Sequence, residues 1–194
     1  MCERLSGVRI VNRGGQILDS VVGSNVLPQS FFDRPAARVA RDLLGKNLVR
    51  RIGKMRTALA VTETEAYEGV HDLASHSSKG RTARTEVMFG PPGHFYIYRI
   101  YGIHWMLNIV TGKVGDASAV LIRGVEGVSG PGRVTAAMDI DASFHGRDAT
   151  PKTGLWFADT GENATKLRVR STPRIGVDYA GPVWAAKKLR FVRI

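Results

Sequence analysis

The chain has 194 residues, 43% of them apolar, enough to bury one sizeable core and too few for two. Its 28 Lys and Arg against 17 Asp and Glu leave a formal charge of +11, more than solubility requires, and the usual partners of such a surface are phosphate backbones or anionic membranes. The lone cysteine, Cys2, excludes an internal disulfide, a cysteine-ligated zinc site and an iron-sulfur cluster.

No apolar run approaches the roughly 18 residues that span a bilayer, and the N-terminus lacks a signal peptide's apolar stretch. The basic residues are scattered through strand-like and loop-like segments rather than along one amphipathic helix, which argues against membrane binding. A soluble, cytoplasmic protein that meets nucleic acid is expected.

Residues 1–27 mix glycines with short apolar pairs such as Ile10-Val11 and Val21-Val22, without a period, and are expected to form a loosely held arm before one domain over 28–194. Asp33 is the expected cap of a helix with Pro35 in its first turn, a stripe of Ala36, Val39, Ala40, Leu43 and Leu44, and Gly45 as its stop. Arg34, Arg38, Arg41, Lys46, Arg50, Arg51, Lys54 and Arg56 surround it, either as a solvated face or as part of a surface for a phosphate backbone.

Residues 57–76 carry the densest chemistry. A strand from Thr57 to Tyr67 would place Leu59, Val61, Glu63, Glu65 and Tyr67 on one face and Ala58, Ala60, Thr62, Thr64 and Ala66 on the other. Two carboxylates then share a face bounded by apolar residues and a ring, where burial raises a pKa and favours acid/base chemistry; the rival reading is a solvent-facing edge. A polar loop follows, with Lys79, Arg81 and Arg84. The turn Gly90-Pro91-Pro92-Gly93 launches a strand, His94 to Tyr101, with His94, Tyr96, Tyr98 and Ile100 opposite Phe95, Ile97, Arg99 and Tyr101. Tyr101-Gly102 reads as a hairpin tip. The return strand, Ile103 to Val110, sets Asn108 in a largely buried position, which requires hydrogen-bond partners.

Ala117 to Val125 is a further strand, whose Arg123 needs an acidic partner or a ligand. Arg133 to Met138 reads as a short helix. From residue 164 onward eight cations face Asp178 alone. No phosphate-binding loop, HExxH or CxxC is present, and His71, His76, His94, His104 and His145 would make a metal site only by clustering in space.

The ordered blocks V-T-E-T-E-A-Y-E-G, A-S-H-S, M-F-G-P-P-G-H-F-Y-I-Y-R-I-Y-G-I-H-W-M-L-N, V-L-I-R-G and P-R-I-G-V-D-Y-A-G-P closely resemble the 3-methyladenine (alkyladenine) DNA glycosylase family over about residues 35–193. The resemblance implies a mixed α/β (α+β) domain around a curved antiparallel sheet, similar to the C-terminal domain of methionyl-tRNA formyltransferase. It implies no cofactor, no metal, damaged double-stranded DNA as partner, and a monomer that needs no protein partner. Position by position, it makes Glu65 the general base that activates water and Arg123 the cation beside that water. Tyr67, His76, Tyr98 and Asn108 fall on base-binding positions, Asn108 crowding the amino group of a normal guanine. Tyr101 matches the side chain wedged into the duplex, and Ile175 falls where a backbone carbonyl helps hold the water. Arg99 departs from the apolar residue some members carry beside the wedge.

The implied reaction is hydrolytic excision of alkylated or deaminated purines. Alternation alone does not choose between Glu63 and Glu65; the resemblance does. A noncatalytic nucleic-acid-binding module is the second reading. A carbohydrate glycosidase using both glutamates, about 7 Å apart on a strand, is the third.

Overall fold

The computed structural model describes residues 25–161 and 167–194. Residues 1–24 of the expected arm lie outside the described residues. The last part of that stretch joins the fold: Leu27 is buried, its N–H donates to the Phe157 carbonyl at 2.9 Å, and Val26 bridges Ala158.

Two short helices, α1 (Gln29–Phe32) and α2 (Ala36–Asp42), lead into β1 (Asn47–Ile52) and the long β2 (Met55–Tyr67). A hairpin of β3 (Phe95–Ile100) and β4 (His104–Thr111) follows, then β5 (Ser118–Val125), β6 (Val128–Ser129) and α3 (Pro131–Ala137). The chain ends through β7 (Leu155–Ala158), β8 (Val169–Thr172), α4 (Gly181–Ala186) and β9 (Arg190–Arg193). The class is mixed α/β with one open antiparallel sheet, as expected. Its main order is β3-β4-β5-β2-β1-β7, with β6 on β5 and with β9 between β2 and β8.

The predicted stripe of α2 is buried as expected, but the helix begins at Ala36 with Pro35 as its N-cap. Asp33 instead closes α1, donating its N–H to the Gln29 carbonyl at 3.2 Å. Likewise α3 starts at Pro131 rather than Arg133, since proline at N1 needs no backbone donor. Much of the basic cluster around α2 is engaged within the fold. Arg34 pairs with Asp42 at 2.8 Å, Lys46 with Asp159 at 2.6 Å, and Arg50 Nη1 donates to the Arg51 carbonyl at 2.7 Å.

One face of the sheet is packed under the helices. The main core takes Phe95 and Ile97 from β3, Leu107 and Ile109 from β4, and Val120 and Ile122 from β5, together with Val39, Ala40 and Leu43. These are the faces that alternation assigns in β3 and β4, and they leave Tyr96, Tyr98 and Asn108 on the other side.

In β2, strict alternation fails. Leu59 and Val61 pack into the helix-covered core, yet so does Ala66, and Thr64 donates its hydroxyl to the Ala40 carbonyl of α2 at 2.8 Å. The expected single face holding Leu59, Val61, Glu63, Glu65 and Tyr67 is therefore corrected: the parity reverses near Thr62. The register shows how. Val61 pairs with Val125, Glu63 with Gly124 and Thr64 with Ile122, so Thr62 is extra on β2 and Arg123 is extra on β5. Bulges of this kind re-aim side chains. Here they keep the apolar half of β2 under the helices and turn Glu63, Glu65 and Tyr67, with Arg123, onto the opposite face.

Gly124 makes the irregularity possible. A Cβ there would meet Thr62 Oγ1 at 2.9 Å and Glu63 Cβ at 3.1 Å. Gly124→Ala is expected to destabilise the fold by about 1–3 kcal/mol through overpacking. Chemical denaturation measures this; a variant of native stability would show that the two strands do not need the close approach.

Candidate active site

Glu65 has no exposed surface. Its Oε1 accepts the Ile175 N–H at 2.8 Å, and its Oε2 accepts the Tyr67 hydroxyl at 3.0 Å and Arg123 Nη1 at 3.4 Å. Burial raises its pKa above the ordinary 4.5; Arg123, the Ile175 amide and Tyr67 pull it back down, and Glu63 adds a smaller upward push. Three donors thus hold a carboxylate that its surroundings would rather protonate.

Glu63, which the strand pattern does not separate from Glu65, stands in a different environment. Its Oε1 accepts from Arg123 Nε at 2.9 Å and from Arg190 Nε at 2.6 Å. Two guanidinium groups thus converge on one oxygen in charge-assisted hydrogen bonds. Arg123 thereby finds the acidic partners its place in β5 requires, and it spans both glutamates.

Beside Glu65 a pocket opens, lined by Tyr67, Ala74, Ser75, His76, Tyr98 and Asn108 among others. Its atom-free space is about 320 Å³ with the open mouth included. The His76 and Tyr98 rings meet edge-on at 4.6 Å between centroids. His76 Nδ1 lies 2.8 Å from the Tyr96 hydroxyl and its Nε2 lies 3.4 Å from Arg84 Nη2. A guanidinium only donates, so Nε2 accepts and Nδ1–H is given to Tyr96. Burial, and then the charge of Arg84, lower the His76 pKa to about 4. Tyr67 and Tyr98 are pushed upward, chiefly by burial, so the pocket walls are uncharged near neutral pH.

Asn108 is buried, and its Nδ2 donates to the carbonyls of Tyr96 at 3.0 Å and Met106 at 3.4 Å, which fixes the amide orientation and leaves Oδ1 as its free acceptor. Ile175 enters by its backbone; the side chain is half exposed. Tyr101 stands apart from the cluster, 88% exposed at the tip of the β3–β4 hairpin, with its backbone at φ 49° and Gly102 at φ 69°. The other histidines stay outside: His94 pairs with Asp148 at 2.7 Å, His145 bonds the Ile97 backbone, and His71 and His104 are exposed.

Several participants were missed by sequence reasoning. Tyr96 and Tyr179 line the pocket, Tyr179 by donating its hydroxyl to the Ala74 carbonyl at 2.9 Å. Tyr96 was legible as a face-mate of Tyr98. A fully buried ion pair, Asp72 with Arg174, fastens the loop after β2 to the segment carrying Ile175. Its members lie about a hundred residues apart, and no local pattern joins them.

The raised pKa of Glu65 fixes the sign of a stability effect. The folded state binds this proton more readily than the unfolded chain, so stability falls as pH rises from near 4.5 through the raised value. Glu65→Gln is expected to raise Tm at pH 7.5 by roughly 2–4 °C, about 1 kcal/mol, and to give no gain at pH 4. Thermal unfolding at the two pH values checks this; a lower Tm at pH 7.5 would mean that the charged carboxylate stabilises the fold.

Comparison with known proteins assigns the chain. The family model described as methylpurine-DNA glycosylase matches residues 30–129 and 126–193. Three relatives, each provisionally named 3-methyladenine DNA glycosylase, are similar over most of their length. The one from Methanocella arvoryzae is 46% identical over 176 residues, covering 80% of this chain and 86% of the relative. That from Myxococcus xanthus is 47% identical over 175 residues, covering 86% and 89%, and that from Legionella pneumophila strain Corby is 44% identical over 172, covering 85% and 92%. With the family model spanning nearly all the residues that build the sheet and the pocket, the chain belongs to the methylpurine-DNA glycosylase family and is a DNA glycosylase, a hydrolase of N-glycosyl bonds.

Proposed function

We propose that this chain everts alkylated or deaminated purines, of the 3-methyladenine, 7-methylguanine and hypoxanthine type, from damaged duplex DNA. It then hydrolyses their glycosidic bond, leaving an abasic site for base excision repair. The observation that carries the reading is a fully buried carboxylate, Glu65, bonded to a tyrosine that forms a wall of an uncharged aromatic pocket. Family membership and the names of the relatives support the same substrate class.

The reacting carbon of a nucleotide stacked in a duplex is out of reach of a buried carboxylate, so the nucleotide must rotate out, at a cost of a few kcal/mol that is least for damaged pairs. Tyr101, on a hairpin tip and almost fully exposed, has the reach to fill the gap by stacking. The extruded purine then lies among Tyr67, His76 and Tyr98, whose faces attract a cationic alkylated base by roughly 0.5–2 kcal/mol when water is excluded. Asn108, held rigid by two backbone carbonyls, stands where the exocyclic amino group of a normal guanine would crowd it.

For hydrolysis, the C1′–N bond breaks with its electron pair leaving on the purine, while a water oxygen bonds C1′ and gives its proton to Glu65. Oε2 already accepts from Tyr67 and Arg123, whereas Oε1 accepts only from Ile175 N–H among the described residues. The water is therefore best received at Oε1, next to the Ile175 backbone. Arg123 keeps Glu65 ionised and stabilises the attacking oxygen. A purine that already carries positive charge departs as a neutral base, whereas a neutral one such as hypoxanthine departs as an anion and takes its proton from solvent water.

Glu65→Gln is expected to abolish base release from duplex oligonucleotides carrying hypoxanthine or a 3-methyladenine analogue while keeping lesion binding. In the native protein the single-turnover rate should fall as pH drops through the Glu65 pKa, which burial places above 4.5. Release by the Gln variant at the native rate would remove Glu65 from the reaction.

Tyr101→Ala is expected to weaken binding to lesion-bearing duplex by roughly tenfold and to leave undamaged-duplex affinity and its salt slope unchanged. Titrations on both duplexes decide this; equal losses would count against a wedge.

A further inference from the structure

Behind the Tyr67 ring lies a charge that the reaction itself does not use. The Arg174 guanidinium carbon sits 4.7 Å from the Tyr67 centroid, and the Arg174 side chain is fully buried and takes no part in lining the pocket. Arg174 thus covers one face of the ring from within the protein, while Tyr67 itself is exposed to the cavity. Asp72, equally buried, grips it with both oxygens: Nη2 donates to Oδ1 at 2.9 Å and Nη1 to Oδ2. The same carboxylate accepts the Glu68 and Ala74 amides at 3.0 Å each, while Nη1 also reaches the Ala66 carbonyl at 2.8 Å. Four hydrogen bonds converge on the Asp72 carboxylate, and the pair cannot swing away from Tyr67.

We propose that Asp72 sets the charge preference of the pocket, as the counterion that keeps the guanidinium behind Tyr67 from repelling a positively charged purine stacked on the ring's other face. The proposal rests on the reading that the everted purine stacks on Tyr67. A base there would lie about 8 Å from the guanidinium, with an aromatic ring and no water between, so the repulsion from an unneutralised charge would be felt strongly. A neutral purine would feel little of it. The other charges near the walls are settled differently. Glu65 and Glu63 are matched by Arg123 and Arg190, and Arg84, 4.9 Å from the Tyr98 centroid, is exposed and screened by solvent. Arg174 is the cation whose effect depends on one buried partner.

The test compares single-turnover excision of 7-methylguanine, cationic in the nucleoside, and hypoxanthine, neutral, in one duplex context. Release of both by the native protein checks the functional reading separately; absence of release would sink that reading before any variant is made. Asp72→Asn is expected to lower the 7-methylguanine to hypoxanthine rate ratio by roughly tenfold, and the double variant Asp72→Asn with Arg174→Met to bring it back to within about twofold of native. Equal losses on both lesions, or a double variant whose ratio stays low, would overturn the proposal and leave the pair a scaffold for the loop. If Asp72→Asn does not fold, Arg174→Met alone decides: it leaves an anion behind the ring, so the ratio must rise, and an unchanged or lower ratio overturns the proposal.

Discussion

A carboxylate without exposed surface keeps its charge only if donors hold it, and the arrangement around Glu65 follows from that constraint. Each donor is itself fastened. Arg123 is fixed by Glu63, whose Oε1 also accepts from Arg190 of β9. The Ile175 amide is presented by a segment whose neighbouring residue, Arg174, is locked to Asp72 and to the Ala66 carbonyl of β2. Tyr67 rests on that same guanidinium. The supports come from β2, β5, β9 and the segment before α4, so the acid is placed by the meeting of distant parts of the chain.

The same network separates two glutamates that are two residues apart. Glu63 accepts from two guanidinium groups and is a structural counterion; Glu65 accepts one arginine at longer range, one amide and one phenol, in a place where burial is the largest influence. A glycosidase that employs both carboxylates needs each available to substrate or water. Glu63 is instead the shared counterion of Arg123 and Arg190, both of which bond its Oε1. What remains is a single acid beside an aromatic cavity, and a single acid suffices when the leaving group already carries positive charge.

Alternation read the β3–β4 hairpin well because its two faces have different neighbours throughout: helices cover Phe95, Ile97, Leu107 and Ile109, and the pocket lies beside Tyr96, Tyr98 and Asn108. It misread β2 because a bulge is one extra residue, and nothing in V-T-E-T-E marks Thr62 as that residue. Its cause lies on the opposite strand, where Gly124 admits the close approach and Arg123 is the matching extra residue. The conclusion that Glu63 and Glu65 share a face held, since both follow the bulge. β1 and β7 carry little alternation that a single sequence reveals, and the Asp72–Arg174 pair exists only once the chain has folded. Helix starts were missed by two residues where Asp33 served the preceding helix and where Pro131 was already helical.

The pocket's titratable walls are all driven toward neutrality by one cause, loss of water. His76 is lowered and Tyr67, Tyr96 and Tyr98 are raised, each with burial as the largest contribution. Formal charge is kept one layer out, on Glu65 with Arg123 and on Asp72 with Arg174. That layering has a consequence for chemistry. Faces that carry no net charge attract a cationic purine through their quadrupoles and stay the same across the physiological pH range. On the proposed mechanism the pH response falls to Glu65, a wall-adjacent carboxyl whose raised pKa moves toward the range in which a base works. In the proposed reaction recognition falls to the neutral walls and proton transfer to the charged groups behind them, and the Tyr67 hydroxyl, bonded to Glu65 and carried on a pocket wall, joins the two.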